Sequence, residues 1–194
     1  MVYEFSYAER DQYADIYEKI LRSREWFSEK HPEWDALFPN NPAEDEYDRL
    51  CNPMYIVAED EAGGGIASVR VLPTTGKTML RQEFARYFDG SPDIISPDVW
   101  ELSRLSVTAD TGSLVGRSLA LDVLKTVYAR AFSNGVSQLV AVYPKFKLRL
   151  YRRLDWMPAS VSSGEREEQE LCLGVWDVTP LALRRLIELQ LRAF

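Results

Sequence analysis

The chain has 194 residues, of which 46% are hydrophobic and 27% are charged, and this composition excludes wholesale disorder. Its 30 acidic and 23 basic residues give a formal net charge of −7, which argues against nonspecific nucleic-acid binding because phosphate contacts need a basic surface. No apolar run approaches the ~18 residues of a membrane span, and the N-terminus does not have the pattern of a signal peptide. We therefore expect one cytoplasmic domain over residues 1–194, without nucleic-acid or membrane partners.

Cysteine and histidine are scarce, which limits the metal and redox chemistry that the chain can carry. Cys51 and Cys172 are too few for a disulfide framework or a multi-thiolate metal site. The single histidine, His31, excludes a histidine-rich zinc site within one chain. Because His31 lies beside Pro32 in a polar stretch, we interpret it as a surface histidine rather than as the base of a Ser-His-Asp triad. We expect no metal.

The first part of the chain predicts one helix, a long loop and a hairpin. Apolar and aromatic residues recur every three or four positions over residues 10–27, which predicts a helix. Residues 28–53 are acidic and contain four prolines, so we expect a long loop with short helical turns at most. Two strand-like runs follow at 55–59 and 66–72, and the glycine-rich turn between them is typical of a hairpin.

The remaining residues predict helices and strands in alternation. In chain order these are a short helix at 79–88, a strand at 99–108, the strongest helix at 115–133, a strand at 138–143, a helix after Pro144, a strand near 168–176 and a helix at 181–194. This order predicts an α/β (α+β) fold in which helices pack on both faces of a mixed sheet.

Two glycine-containing segments resemble phosphate-binding loops only weakly. Gly76-Lys77-Thr78 could end a P-loop, but the motif needs a glycine where Val71 stands, so we reject nucleoside triphosphate binding. The loop from Gly112 to Ser118 lies between a strand and a helix and could direct backbone N–H groups at an acyl donor. That loop by itself is a weak signal.

Charged residues inside the predicted strands are more informative. Arg70 and Glu101 lie in strand-like runs, and Arg104 follows three residues after Glu101. A strand that faces a core rarely carries such residues unless they pair with each other or bind a ligand. Composition alone leaves a second interpretation open, in which these residues form ordinary ion pairs on a solvent-facing strand edge.

Seven residues occur in the order and spacing of a known family, namely Arg24, Trp34, Asp45, Asp48, Arg70, Glu101 and Arg104. Together with the stretches 70–76 (RVLPTTG) and 101–104 (ELSR), they closely resemble the acyl-homoserine-lactone synthases, the bacterial autoinducer synthases of quorum sensing. The resemblance runs from about Ile20 to Leu154. The family usually has phenylalanine where this chain has Ser28, and we expect the adjacent Phe27 to take its place.

The resemblance implies both a fold and a reaction. The fold would be a single-domain, three-layer one similar to the GNAT acyltransferases, with a twisted mixed sheet splayed at its centre. The reaction would transfer an acyl group from acyl carrier protein or coenzyme A to the α-amine of S-adenosylmethionine. The methionyl carboxylate would then close the homoserine lactone and expel methylthioadenosine. S-adenosylmethionine is a substrate in this scheme, and no cofactor is implied.

The resemblance also assigns expected roles to individual residues. Glu101 is the candidate base that deprotonates the amine, with Arg104 and Arg70 completing the catalytic set; the alternative is that Glu101 only positions Arg104. Residues expected to bind S-adenosylmethionine are Arg24, Phe27, Trp34, Asp45, Asp48, Arg70, Ser103 and Arg104. Trp34 could instead anchor its loop in the core.

Two further sets concern the acyl donor. The acyl chain is expected to lie against Met79, Leu102, Val140, Ala141, Val142 and Leu150. Ala141 stands where family members that make 3-oxo products usually carry threonine, so we expect a product without a 3-oxo group. An acidic acyl carrier protein is expected to dock on the basic residues Lys145, Lys147, Arg149, Arg152 and Arg153. A solvated helix face is the alternative for this segment.

Two rival functions have distinguishable sequence features. A GNAT N-acetyltransferase that uses acetyl-coenzyme A should carry the pyrophosphate-binding signature Arg/Gln-x-x-Gly-x-Gly/Ala, which is missing before Gly116. A binding module that has lost the reaction is disfavoured because every charged motif position is present.

Overall fold

The computed structural model describes residues 1–32, 42–63, 65–166 and 169–191. The strands are β1 (Val2–Ser6), β2 (Met54–Glu59), β3 (Ile66–Pro73), β4 (Val99–Val107), β5 (Gln138–Pro144), β6 (Ser160–Arg166) and β7 (Gln169–Asp177). The α-helices are α1 (Ala14–Lys30), α2 (Glu46–Cys51), α3 (Leu114–Ser133), α4 (Leu148–Arg153) and α5 (Pro180–Leu191). Short 3₁₀ helices occupy Tyr7–Tyr13, Ala85–Tyr87 and Lys145–Lys147, and Leu80–Phe84 forms a π-helical turn.

The seven strands form one mixed sheet in the order β1-β2-β3-β4-β5-β7-β6. All neighbouring pairs are antiparallel except β4 and β5, which run parallel. This architecture confirms the predicted mixed sheet with helices on its faces. Strands β1 and β6 were not predicted, and both lie at the edges of the sheet.

The parallel pair at the centre of the sheet separates soon after it forms. Pairing between β4 and β5 covers only three positions and ends where Glu101 faces Val140. Strand β4 continues to Val107 and β5 to Pro144 without further pairing to each other. The resulting wedge-shaped gap is the splay that the family resemblance implied.

Side-chain alternation along the strands gives the two faces of the sheet different partners. One face carries the large core, in which Val69, Leu102 and Leu139 pack with apolar residues of α3 such as Leu124. On the other face, Tyr55 of β2 packs with residues of α1. A third cluster, under the π-helical turn, joins this face to β5 and β7. The sheet is therefore the middle of three layers.

The segment 28–53, predicted as a long loop, is more helical than expected where it is described. Helix α1 continues to Lys30, and α2 begins at Glu46. Its N-cap is Asp45, whose carboxylate accepts hydrogen bonds from the backbone N–H groups of Tyr47 and Asp48. Asp48 returns a bond to the Asp45 backbone N–H, which completes a capping box. This cap determines where both carboxylates lie relative to the sheet.

Candidate active site

A cleft opens where β4 and β5 separate, and it contains about 920 Å³ of space including its open mouth. Its walls come from α1, the start of the π-helical turn, the diverging parts of β4 and β5, and the segment after β5. The lining residues are Arg24, Phe27, Ser28, Met79, Leu80, Phe84, residues 101–106, residues 141–144, Lys147, Tyr151 and Trp156.

One wall of the cleft rests on a buried network of alternating arginines and aspartates. Arg24 of α1 binds Asp48 with both terminal nitrogens, at 2.7 and 3.3 Å. Arg70 of β3 bridges Asp48 at 2.9 Å and Asp45 at 2.5 Å. Arg104 of β4 donates a hydrogen bond to the second carboxylate oxygen of Asp45, at 2.8 Å. The network therefore joins α1, α2, β3 and β4 in one connected set of ion pairs.

Burial and neighbouring charges shift the pKa values of the groups in this network in opposite directions. Asp48 is completely buried and Arg70 is 1% exposed. Burial alone would raise the pKa of Asp48, but the adjacent Arg24 and Arg70 outweigh it, so the pKa lies well below its ordinary value. The same pairing holds the pKa of Arg70 above its ordinary value despite burial. Asp48 and Arg70 are therefore both ionised at neutral pH.

A β-bulge in β4 turns Arg104 toward this network. The pairing of β3 with β4 shifts between Ser68 and Arg70, so β4 contains one more residue than its partner. Arg104 lies within the bulge at φ 57°, a left-handed conformation that is uncommon for residues other than glycine. Just before the bulge, Ser103 pairs with Arg70 and accepts a hydrogen bond from the Arg70 Nε at 3.0 Å.

Glu101 lies at the point where β4 and β5 separate, and it is 2% exposed. Its two carboxylate oxygens accept hydrogen bonds from the backbone N–H groups of Met79, at 3.0 Å, and Leu80, at 2.6 Å. Burial raises the pKa of Glu101 to about 7, although both N–H groups favour the charged form. A carboxylate of this pKa can accept a proton near neutral pH.

The pairing pattern bears on the alternative in which Glu101 only positions Arg104. Glu101 is held by the backbone of Met79 and Leu80, whereas Arg104 pairs with Asp45. No hydrogen bond joins Glu101 to Arg104 within the described part of the chain. The carboxylate of Glu101 is thus oriented independently of the arginine.

The rest of the cleft is largely apolar and aromatic. Met79, Leu102, Ala141 and Val142, all expected beside the acyl chain, line it. Gly174 of β7 faces Ala141, and a Cβ atom at Gly174 would lie 2.7 Å from Cη2 of Trp176 and 2.9 Å from Cε1 of Tyr143, so the glycine leaves room for both rings. The wall beside Ala141 is therefore made of large rings.

Some expected positions lie elsewhere. Val140 points to the opposite face of β5 from Ala141 and packs in the cluster under the π-helical turn, because neighbouring strand residues alternate in direction. Leu150 packs against the large core. Neither is among the residues that line the cleft in the described ranges. Trp34 lies outside the described residues.

The basic segment after β5 divides between two surfaces. Four of its cations are exposed, namely Lys145, Arg149, Arg152 and Arg153. Lys147, which was grouped with them as a docking residue, turns inward instead and lines the cleft, because it belongs to a tight 3₁₀ turn that directs its neighbours to different sides. Phe27 and Ser28 both line the cleft as well.

Sequence reasoning also missed a structural partner of the network. The hydroxyl of Tyr55 donates to Asp48 at 2.8 Å from within β2, and Tyr55 is 1% exposed. A tyrosine in a strand carries no sequence signal that separates this role from ordinary core packing.

In the described ranges, no group of three or more His, Cys, Asp or Glu residues is arranged to hold a metal ion. None of the helices described is long and apolar enough to cross a membrane.

Comparisons with solved structures identify the fold. A CoA-dependent acyl-homoserine lactone synthase, BjaI, solved with S-adenosylmethionine and isopentyl-CoA, superposes with a TM-score of 0.74 at 20% identity, over 97% of this chain and 88% of that chain. A putative N-acetyltransferase from Lactobacillus plantarum superposes with a TM-score of 0.57 at 12% identity, over 92% of this chain and 98% of that chain. The predicted GNAT-like fold is thereby confirmed.

Comparisons at the level of sequence identify the family. The family model described as autoinducer synthase matches residues 5–179. An acyl-homoserine-lactone synthase from Rhizobium etli is 31% identical over 164 residues, which cover 84% of this chain and 77% of that protein. The chain therefore belongs to the autoinducer synthase family, and it is an acyltransferase of the acyl-homoserine-lactone synthase type.

Proposed function

We propose that a single domain over residues 1–194 binds S-adenosylmethionine and an acyl thioester in the central cleft and joins them through Glu101. The observation that carries this proposal is the position of Glu101. It is a buried carboxylate, oriented by two backbone N–H groups, at the point where the sheet splays open into the cleft. BjaI, which has the same fold, was solved with S-adenosylmethionine and isopentyl-CoA.

S-adenosylmethionine carries a sulfonium, an ammonium and a carboxylate, so its site needs charges of both signs. We place it beside Arg24, Ser103 and Arg104, where the arginine–aspartate network reaches the cleft. Asp45 and Asp48 supply the negative charge of this region, and the arginines hold them ionised. Phe27 offers an aromatic face to the sulfonium or the adenine.

The chemistry has two bond-forming steps. The ammonium of S-adenosylmethionine loses a proton to Glu101, directly or through a water molecule, and the resulting amine attacks the thioester carbonyl. The amide bond forms as the carbon–sulfur bond of the thioester breaks and the thiol leaves. In the second step the methionyl carboxylate attacks its own γ-carbon, which closes the lactone ring and expels methylthioadenosine with the electron pair of the broken carbon–sulfur bond.

The side chain of Ala141, in the wall of the cleft, affects whether an acyl group with a 3-oxo substituent can bind there. A methyl group cannot donate a hydrogen bond, so a 3-oxo oxygen placed against Ala141 would be left without a donor there. A buried carbonyl without a donor costs about 1–3 kcal/mol, which corresponds to roughly a 5- to 150-fold loss of selectivity. We therefore propose that the product has no 3-oxo group.

The exposed part of the basic segment, Lys145, Arg149, Arg152 and Arg153, supports a carrier protein as donor. It places a concentrated positive patch on a chain of net charge −7, and charge complementarity steers an acidic carrier protein to such a patch. Lys145 is already paired with Glu170, so the arginines contribute most of the unbalanced charge. Acyl-coenzyme A is the second candidate donor.

The reaction is tested by incubating the protein with S-adenosylmethionine and a series of acyl-carrier-protein and acyl-coenzyme A thioesters, with mass spectrometry of the products. Methylthioadenosine and an N-acyl-homoserine lactone should appear in equal amounts. Acyl transfer to the amine without methylthioadenosine would indicate an N-acetyltransferase type of reaction. Binding of S-adenosylmethionine without turnover of any thioester would indicate a binding module.

A further inference from the structure

The charged side chains that line the cleft differ in whether they have a partner of opposite charge. Arg24 pairs with Asp48, and Arg104 pairs with Asp45. Glu101 accepts hydrogen bonds from two backbone N–H groups, which stabilise its charged form. Lys147 has no carboxylate within ion-pair distance among the described residues. It is thus the cation of the cleft that lacks a counter-ion within the described ranges.

The ammonium group of Lys147 makes two contacts among the described residues, and these leave part of its hydrogen-bonding capacity unused. Its Nζ donates to the backbone oxygen of Leu105 at 2.5 Å and lies 4.3 Å from the centre of the Phe27 ring. Leu105 belongs to the part of β4 that lies beyond the last residue paired with β5. An ammonium has three hydrogens to donate, and the carbonyl takes one of them. Two donors therefore remain for a ligand in the cleft.

The neighbouring Lys145 provides an internal comparison. It lies two residues earlier in the same 3₁₀ turn, is exposed to solvent and pairs with Glu170 at 2.6 Å. Burial lowers the pKa of Lys147 to about 8, so the ammonium is still the major form at neutral pH. Lys147 is half-buried, and a charge partly withdrawn from water without a counter-ion is costly, which a carbonyl and an aromatic face compensate only in part. A bound anion would supply the missing compensation.

We propose that Lys147 binds an oxyanion of a substrate in this cleft, either the α-carboxylate of S-adenosylmethionine or the phosphate of the donor's phosphopantetheine arm. This inference rests on the proposed function, because it takes both substrates from it. Both groups are oxygen anions that an ammonium recognises in the same way. The contact assigns Lys147 to substrate binding inside the cleft and removes it from the docking patch.

The variants that test this role are Lys147→Met and Lys147→Arg. Methionine retains an unbranched, flexible stem that can pack against Phe27, but it removes the charge and the donors. Arginine keeps the positive charge. Lys125→Met is the matched control, since Lys125 lies on α3 and pairs with Asp122 and Gln190 away from the cleft.

Equilibrium binding measured by calorimetry separates the two anions without requiring turnover. One arm compares S-adenosylmethionine with decarboxylated S-adenosylmethionine, and the other compares 4′-phosphopantetheine with pantetheine. A charge-assisted hydrogen bond contributes enough for roughly a 10- to 100-fold preference for the anionic partner of one pair. We expect Lys147→Met to abolish that preference, Lys147→Arg to restore most of it, and Lys125→Met to leave it unchanged.

Two results would overturn the inference. In the first, Lys147→Met folds as the wild type does and both preferences stay within twofold of the wild-type values. In the second, the variant weakens all four probes equally while its melting temperature falls, which would make Lys147 a structural brace between β4 and the turn after β5. Failure of the proposed function has a different signature, in which the wild-type protein releases no methylthioadenosine with any thioester.

Discussion

Substitution of Asp48 by asparagine tests how much the buried network contributes to stability. Asp48 accepts five hydrogen bonds, two from Arg24 and one each from Arg70, Tyr55 and the backbone of Asp45. Asparagine has nearly the same shape, but it removes the charge and turns one acceptor into an NH₂ group. Because every neighbour of Asp48 is a donor, no rotation of the amide satisfies all five.

The size of the effect follows from the burial of the pair. Removal of one partner from a buried ion pair costs about 3–5 kcal/mol, since it leaves an uncompensated charge. For a chain of this length, each kcal/mol lowers the melting temperature by about 2–4 °C. We therefore expect Asp48→Asn to lower the melting temperature by roughly 6–20 °C. Urea denaturation at pH 7 measures the free energy of unfolding directly.

A matched control and the pH dependence make this test specific. Asp155 pairs with Arg185 at 2.6 Å on the surface, and Asp155→Asn should cost less than about 1 kcal/mol. Since folding lowers the pKa of Asp48 below its ordinary value of 3.8, its stabilisation is present above pH 3.8 and is lost as the pH falls further. If Asp48→Asn and Asp155→Asn lose equal amounts of unfolding free energy at pH 7, the buried network contributes no more to stability than a surface ion pair, and the prediction is refuted.

Two predictions concern the acyl donor. Ala141→Thr should shift the ratio of kcat/KM between matched 3-oxo and unsubstituted thioesters at least about fivefold toward the 3-oxo donor; a wild-type preference for the 3-oxo donor would contradict the role given to Ala141. Reversal of Arg149 and Arg153 to glutamate should raise KM for an acyl-carrier-protein donor and reduce its salt dependence, with little change for acyl-coenzyme A. Unchanged kinetics with the carrier donor would leave the patch as a solvated helix face.

The central strands could be predicted because their side chains alternate against two packed layers. Strands β2, β3, β4 and β5 begin and end within one residue of the predicted bounds. Strand β6 was missed because residues 160–166 are almost entirely polar, as suits an edge strand whose side chains face solvent. The helical segment at 79–88 contains a π-helical turn, and hydrophobic spacing does not distinguish that turn from an α-helix.

The site was predictable in its residue types but not in its pairings. Arg70, Glu101 and Arg104 were conspicuous because charged residues are rare in strands that face a core. The partners of Arg70 and Arg104 depend on where the cap of α2 places Asp45 and Asp48 against the sheet, and those of Glu101 depend on where the backbone of Met79 and Leu80 approaches it; both are long-range features. The inward turn of Lys147 likewise depends on the short 3₁₀ helix after β5.

The pH dependence of kcat in the wild type and in Glu101→Gln tests most directly whether Glu101 removes the proton from the amine. In the wild type, kcat with S-adenosylmethionine and a saturating thioester should rise as the pH increases through about 7, where Glu101 ionises, and then level off. Glu101→Gln should lower kcat about 100-fold or more, eliminate this rise and leave the affinity for the thioester nearly unchanged. A variant that keeps the wild-type kcat, or that keeps the same rise near pH 7, would contradict the assignment of Glu101 as the base.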